Sequence, residues 1–128
     1  MISHAFLYFT ADSSDSKATT LVIHGEDSSN SRPFNQKNIS SRRKTSASTT
    51  WHNVVAWQED RTYGTPNIGP VIQEILTCNG WDSGDSMTFI ISGYGKRSAS
   101  SFNRGSGHNA PSLWIQWQPG TPTPCSGE

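Results

Sequence analysis

The sequence lacks the features that would place it among nucleic-acid-binding proteins, membrane proteins or proteins with a metal-binding cysteine motif. Ten basic residues balance ten acidic ones, and this zero net charge argues against a general nucleic-acid binder. No apolar run is long enough to span a bilayer, so we expect no membrane partner. The only two cysteines, Cys78 and Cys125, have no metal-binding spacing, and they leave open two free thiols or one disulfide.

Leu, Ile, Val and Phe are also scarce, which limits the core that the chain can bury. Leu, Ile, Val and Phe together account for 22 of the 128 residues. Five Trp and three Tyr supply buried area instead, because each large aromatic side chain can bury roughly 150–250 Å². The length indicates one domain, and the abundance of serine, threonine, glycine and asparagine suits an all-β domain with long polar loops.

Residues 65–93 carry most of the evidence for the architecture, because they combine a helix pattern with a strand pattern. Thr65 can cap a helix, and Pro66 suits its first turn. An apolar stripe at helical spacing then predicts one short helix near residues 66–77, formed by Ile68, Val71, Ile72 and Ile75. Alternation between Met87 and Ile91 predicts a core strand after it.

Alternating segments elsewhere predict further strands. They cover residues 2–11, 19–25, 40–51 and 112–118. A lone helix beside a run of strands predicts an all-β fold, an antiparallel β-sandwich of the jelly-roll type. We place this sandwich at residues 1–118, followed by a Pro/Thr-rich linker or tail at 119–128 of the kind found in secreted modular proteins.

Residues that could carry catalysis do not form a recognisable set. The carboxylate pairs Glu59-Asp60 and Asp82/Asp85 lie in polar turns, whereas glycosidases need two carboxylates that face each other across a cleft. The four histidines are scattered, and no serine lies in a Gly-x-Ser-x-Gly motif. We therefore expect no enzyme activity, and a small hydrolase ranks last among the functions considered.

One acidic loop is a candidate metal site. Glu26, Asp27 and Asn30 are hard oxygen ligands of the type that holds structural Ca²⁺. They lack the spacing of an EF-hand, and a solvated turn is the alternative interpretation.

Aromatic and basic residues give the best functional signal. Trp114 alternates with Leu113 and Ile115 and so lies either on an exposed face or under a second layer. Tyr63 and Tyr94 are expected in exposed loops, while Trp51, Trp57, Trp81 and Trp117 are expected in the core. Basic side chains cluster at Arg42, Arg43 and Lys44 and again at Lys96, Arg97 and Arg104. The predicted ligand-binding residues are Trp114, Arg97, Lys96, Tyr94, Arg104, Arg43 and Tyr63, with a structural role for Arg97 as the alternative.

Four segments, in their order and spacing, resemble the second half of a secreted bacterial β-sandwich module. They are I-x-x-A-x-L-x-F-T-A-D from Ile2, P-N-I-x-x-V-I-Q-E-I from Pro66, G-W-x-S-G-x-x-x-x-F-I-I-x-G-x-G-x-R-x-A from Gly80, and A-P-x-L-x-I from Ala110. Over residues 2–117 the chain resembles the DNRLRE-like, disaggregatase-related jelly-roll domains. That group has further strands before the segment matching Ile2. Either the chain is part of a longer one, or another strand supplies the missing sheet edge.

Members of that group occur beside polysaccharide lyases and hydrolases, and some are classed as carbohydrate-binding modules. The resemblance therefore implies a non-catalytic module in the same polypeptide as the catalytic domain of a secreted, polysaccharide-degrading enzyme. Its expected partner is an acidic or sulfated polysaccharide of the algal type, with aromatic rings stacking on the sugars and arginines binding the acid groups. The alternative is a structural or adhesive module of a cell surface or filament, in which an open edge accepts a neighbour's strand.

Overall fold

A computed structural model describes residues 1–32, 42–101 and 109–120 of the chain. Its elements are β1 (Ile2–Thr10), β2 (Thr20–Glu26), β3 (Lys44–Trp51), β4 (Thr62–Gly64), α1 (Gly69–Cys78), β5 (Phe89–Tyr94) and β6 (Ser112–Trp117). The strands form two antiparallel three-stranded sheets, a first sheet ordered β4-β1-β6 and a second ordered β3-β2-β5. The predicted all-β sandwich with one short helix is confirmed.

The helix α1 begins at Gly69, three residues later than the sequence pattern predicted. Residues 65–68 run along β1 instead. The Ile68 N–H donates to the Ala5 carbonyl oxygen at 2.8 Å, and the Asn67 Oδ1 accepts from the backbone N–H groups of Ala5 and Gly69, both at 2.9 Å. The start of α1 is therefore anchored to the first sheet by backbone and side-chain hydrogen bonds rather than by a capping threonine.

The core lies where the sheets and α1 meet. Its largest fully buried side chains are Ile23, Ile68, Val71, Ile72 and Ile75. The strand β2 approaches α1 so closely at Gly25 that a Cβ there would lie 2.5 Å from the Ile75 Cδ1. Only glycine fits this contact without moving the helix side chains.

The tryptophans divide between core and surface. Trp51 and Trp57 are buried as predicted, with 9% and 4% of their surface exposed. Trp81 is only half-buried, and its Nε1 donates to the Ser86 carbonyl oxygen at 3.1 Å. The core prediction is wrong for Trp117, which is 60% exposed. It lies on β6, the outermost strand of the first sheet, and no described strand lies beyond it.

The structure decides between free thiols and a disulfide for the cysteine that it describes. Cys78, at the end of α1, is disulfide-bonded rather than a free thiol. The only other cysteine, Cys125, and most of the predicted tail at 119–128 lie outside the described residues.

Among the described residues, no helix is both long and apolar enough to cross a membrane.

Candidate functional site

The outer face of the first sheet carries a row of aromatic rings. Ala5 and Leu7 of β1 point into the core, so alternation places His4, Phe6 and Tyr8 on the outer face. Trp114 of β6 lies directly opposite Phe6 in the strand register, and their rings stack with centroids 5.7 Å apart. We call these four side chains, His4, Phe6, Tyr8 and Trp114, the aromatic strip.

The rings of the aromatic strip support one another along the strand. His4 stacks on Phe6 with centroids 6.3 Å apart and planes 12° apart, and Tyr8 lies on the other side of Phe6 at 6.4 Å. A Cβ at Gly64 would lie 2.7 Å from the Tyr8 Cε1, so the glycine of β4 makes room for this ring. Trp114 is 48% exposed and offers the largest open aromatic surface of the strip.

Polar, uncharged groups border the aromatic strip. The register places Gln116 opposite His4 and Ser112 opposite Tyr8. At the other end, the hydroxyls of Thr10 and Thr62 lie 3.3 Å apart. The strands β1, β4 and β6 contain no Asp, Glu, Lys or Arg. The face therefore combines flat apolar rings with neutral donors and acceptors, and its strands contribute no charge.

Arg97 lies away from this strip and is buried. Its side chain is only 3% exposed, and its Nη1 lies 3.9 Å from the Asp15 carboxylate. The five N–H groups of the guanidinium make six hydrogen-bond contacts of 2.6–3.1 Å, because the two Nη1 hydrogens are shared among three acceptors. The acceptors are the Thr19 hydroxyl and the carbonyl oxygens of Lys17, Val54, Val55 and Lys96. We call this arrangement the Arg97 clamp. It fits the structural alternative for Arg97, because the guanidinium has no exposed donor left for a ligand.

The other predicted aromatic and basic residues also lie apart from Trp114. Tyr94 is 64% exposed but belongs to the second sheet, where its hydroxyl lies 3.3 Å from the Thr20 hydroxyl, and Lys96 follows it on the surface. Tyr63 is half-buried in β4 and stacks on Trp57 at 5.1 Å and 2°, so it belongs to the core rather than to an exposed loop. Arg104 lies outside the described residues.

The predicted calcium ligands already have partners within the protein. The Glu26 carboxylate accepts from Arg42 Nη1 at 2.8 Å, and Asp27 lies 3.4 Å from Arg43 Nη2. The Asn30 Oδ1 accepts from the Ser86 N–H at 2.7 Å. No group of three or more His, Cys, Asp or Glu side chains converges in residues 1–32, 42–101 and 109–120. The geometry gives no support for calcium here, and Arg43, with 85% of its side chain exposed, serves as the partner of Asp27.

A shallow hollow of about 430 Å³ is a second, weaker candidate site. Its lining residues are Ser14, Asp15, Ser16, Ala56 and Trp57. Two of its polar side chains have partners within the protein, since the Asp15 Oδ1 accepts from the Lys17 N–H and the Ser14 Oγ from the Glu59 N–H. The buried Trp57 Nε1 has no hydrogen-bond partner among the described residues. The hollow borders the Arg97 clamp and not the aromatic strip.

Sequence reasoning identified Trp114 but missed the residues that accompany it. The alternation of residues 2–11 places apolar residues on both faces of the strand, so it does not show which face is exposed. An aromatic row at every second position, His4-Phe6-Tyr8, was the available signal for an exposed face. Only the pairing of β1 with β6 shows that Trp114 completes this row.

No family model, curated protein or solved structure matches this chain.

Proposed function

We propose that the protein is a non-catalytic carbohydrate-binding module and that the aromatic strip is its binding surface. The observation that carries the proposal is Trp114, half exposed on a regular strand and held flat against Phe6 by stacking. Sugar rings present C–H faces that pack on such aromatic surfaces, and rigid aromatic side chains lose little entropy on binding. A preformed row of rings therefore suits a row of sugar units.

The border of the strip supplies the second half of recognition. Gln116, Ser112 and the threonine hydroxyls can donate to and accept from sugar hydroxyls without a charge. The face is flat and open rather than enclosed. An open face cannot exclude water from a reacting bond, which supports binding of a polymer rather than catalysis.

The nature of the partner follows from the charges near Trp114. The sequence favoured an acidic or sulfated polysaccharide because of its arginines, but Arg97 is buried in its clamp and Arg43 faces Asp27. The strands of the strip bring no cation to Trp114. The geometry therefore favours a neutral polysaccharide or a neutral stretch of one. In the setting we propose, the module is secreted and keeps a catalytic domain in the same polypeptide near its substrate.

A binding experiment with matched variants tests this proposal. Affinity electrophoresis or calorimetry on soluble neutral glucan, xylan and mannan, with alginate as the acidic probe, is run at low and high salt. Trp114→Ala should weaken binding of the neutral polymer at least about fivefold, since central aromatic contacts typically contribute about 1 kcal/mol or more. Tyr94→Ala is the control, because Tyr94 is even more exposed than Trp114, 64% against 48%, but lies on the other sheet. Thermal melting of each variant confirms that it is folded.

Three outcomes would contradict the proposal. If the parent binds none of these polymers, the strip is not a sugar site. If Tyr94→Ala loses binding while Trp114→Ala keeps it, the site lies on the second sheet. Binding to alginate alone, weakening steeply with salt, would instead support the anionic partner expected from the basic clusters, because salt screens exposed charges.

A further inference from the structure

Among the described residues, the strand β6 forms an edge of the first sheet that no other strand covers. Edge strands normally discourage pairing through charged side chains, proline, bulges or a covering element. The strand β6, SLWIQW, contains no charge and no proline. The edge of β3, in contrast, is covered by α1. The Glu74 carboxylate accepts from the Ser46 and Ala47 N–H groups at 2.9 and 2.8 Å. No comparable side-chain contact to the β6 edge is found among the described residues.

The edges of β5 and β6 border the same side of the sandwich. After β5, the chain crosses to the first sheet and pairs Ala99 with Ala11, and the Ser100 N–H donates to the Thr10 carbonyl oxygen. Ala5 and Leu7 bond toward residues 65–68, so by alternation Thr10 faces the other flank of β1. Ser100 therefore occupies the flank of β1 on which β6 lies. The helix packs on β3, β1 and β2. The open flank is thus opposite the side that α1 covers.

Apolar side chains that should face the core are exposed along this flank. Ile91 lies opposite the buried Ile23 and yet is 41% exposed, and Leu113 lies opposite the buried Leu7 and is 39% exposed. Trp117, on the same face of β6 as Leu113, is 60% exposed. A further strand beside β6 would cover these exposed side chains.

The outward N–H and C=O groups of β6 determine which strand can pair with it. The Gln118 N–H donates to the Met1 carbonyl oxygen, and the Gln116 carbonyl oxygen accepts from the Ser3 hydroxyl, so even-numbered residues bond toward β1. By alternation, the N–H and C=O groups of Leu113, Ile115 and Trp117 point away from β1. The next odd positions on either side are Pro111 and Pro119, which have no N–H. The outward ladder is therefore limited to three residues and is symmetric about Ile115.

We propose that β6 pairs with β6 of a second copy of this chain, antiparallel and about a two-fold axis at Ile115. In this register Ile115 lies opposite its own copy, and Leu113 lies opposite Trp117 of the second copy. Every outward N–H and C=O group of these three residues then has a partner, and apolar side chains meet on the inner face. A shift by two residues in either direction would set a ladder residue against a proline.

A second copy fits this edge better than an unrelated strand for two reasons. The ladder is self-complementary, and isologous two-fold contacts are the commonest form of oligomer. The uncharged strand brings no like charges together in the paired state. On the outer face the pairing sets Trp114 beside Gln116 of the second copy, so the two aromatic strips become neighbours. The pairing itself does not depend on sugar binding.

Solution mass measured over a concentration series tests the pairing. Light scattering coupled to size-exclusion chromatography should show twice the chain mass of 14.0 kDa at high concentration. Trp117→Lys places a charge opposite Leu113 of the second copy and should raise the dissociation constant at least about tenfold. Tyr94→Lys, an equally exposed change on the edge of the second sheet, should leave it unchanged.

A cross-linking pair tests the register and does not depend on the lysine variants. At the axis, the two copies of Ile115→Cys would have Cα atoms about 5.5 Å apart, within reach of a short bifunctional thiol reagent. In Leu113→Cys the two Cα atoms would lie about 14 Å apart, beyond its reach, because four residues of strand separate them. We expect cross-linked dimer for Ile115→Cys and only the parent's background for Leu113→Cys.

The opposite results would overturn the proposal. A mass of 14.0 kDa at all concentrations up to about 100 µM would show that the edge does not join two copies. A dimer that survives Trp117→Lys and fails to cross-link through Ile115→Cys would use another surface. A monomer that captures an added peptide strand of different sequence would identify the edge as a site for a foreign strand.

Discussion

Removing the Arg97 guanidinium tests whether the Arg97 clamp stabilises the fold. We expect Arg97→Ala to lower the free energy of unfolding by about 3–5 kcal/mol. Two of its six hydrogen bonds, to the Thr19 hydroxyl and the Val54 carbonyl oxygen, are partly buried. Each bond to a charged donor contributes about 1.5–3 kcal/mol. The other four contacts go to carbonyl oxygens of exposed residues, which water can reach in the variant, and they contribute much less.

Urea unfolding followed by tryptophan fluorescence measures this change, since Trp51 and Trp57 are buried. With an m-value of about 1–3 kcal/mol per molar urea, the midpoint should fall by at least about 1 M. Arg97→Lys should lose roughly half as much, because one ammonium group has three donors for five acceptors. Lys96→Ala is the control, and its exposed side chain should change the free energy by less than about 0.5 kcal/mol.

Two results would refute this reasoning. If Arg97→Ala unfolds at the same urea concentration as Lys96→Ala, the six hydrogen bonds do not stabilise the fold. If Arg97→Ala remains folded but loses binding to a polysaccharide that the parent binds, the residue contacts ligand, as the sequence pattern predicted, and the strip at Trp114 is at most part of the site.

Two further stability predictions follow from the core. Gly25→Ala should lower the free energy of unfolding by about 1–3 kcal/mol, because its Cβ would overlap the end of Ile75, and adding Ile75→Val should recover part of the loss. Equal urea midpoints for Gly25→Ala and the parent would show that α1 moves freely. Trp57→Ala should cost about 3–5 kcal/mol and Trp81→Ala under about 2 kcal/mol, because only Trp57 is fully buried. The reverse order in urea unfolding would contradict the observed burial.

The helix and most strands could be predicted from the sequence, because a buried face leaves a regular pattern of apolar residues along one segment. A helical stripe ending in Ile75 requires one buried face, and that face is found where predicted. Alternation predicted a strand at residues 2–11, and β1 is found there, but which of its faces is exposed was not predicted. The start of α1 was placed too early because Asn67 bonds to Ala5 of β1, a partner 62 positions away. The short strand β4 was missed because three residues carry too little alternation to detect.

The candidate site depended on pairings that no local pattern encodes. The sequence pattern predicted Glu26 as a metal ligand and Arg43, beside Arg42, as a ligand-binding residue. In the structure Glu26, at the end of β2, instead forms an ion pair with Arg42 in the segment before β3. Trp117 was expected in the core because its spacing matches Ile115, and its exposure follows only from the position of β6 at the sheet edge.

The position of β1 between β4 and β6 also has a consequence for how the protein folds. Phe6 and Trp114 are opposite each other in the sheet but 108 positions apart in the chain. Closing so long a loop is entropically costly, and proteins dominated by such distant pairings fold in about milliseconds to seconds rather than microseconds. The first sheet is complete only when β6 has paired with β1. In refolding from urea, we therefore expect stacking at Trp114 to form after the pairing of β2 with β3.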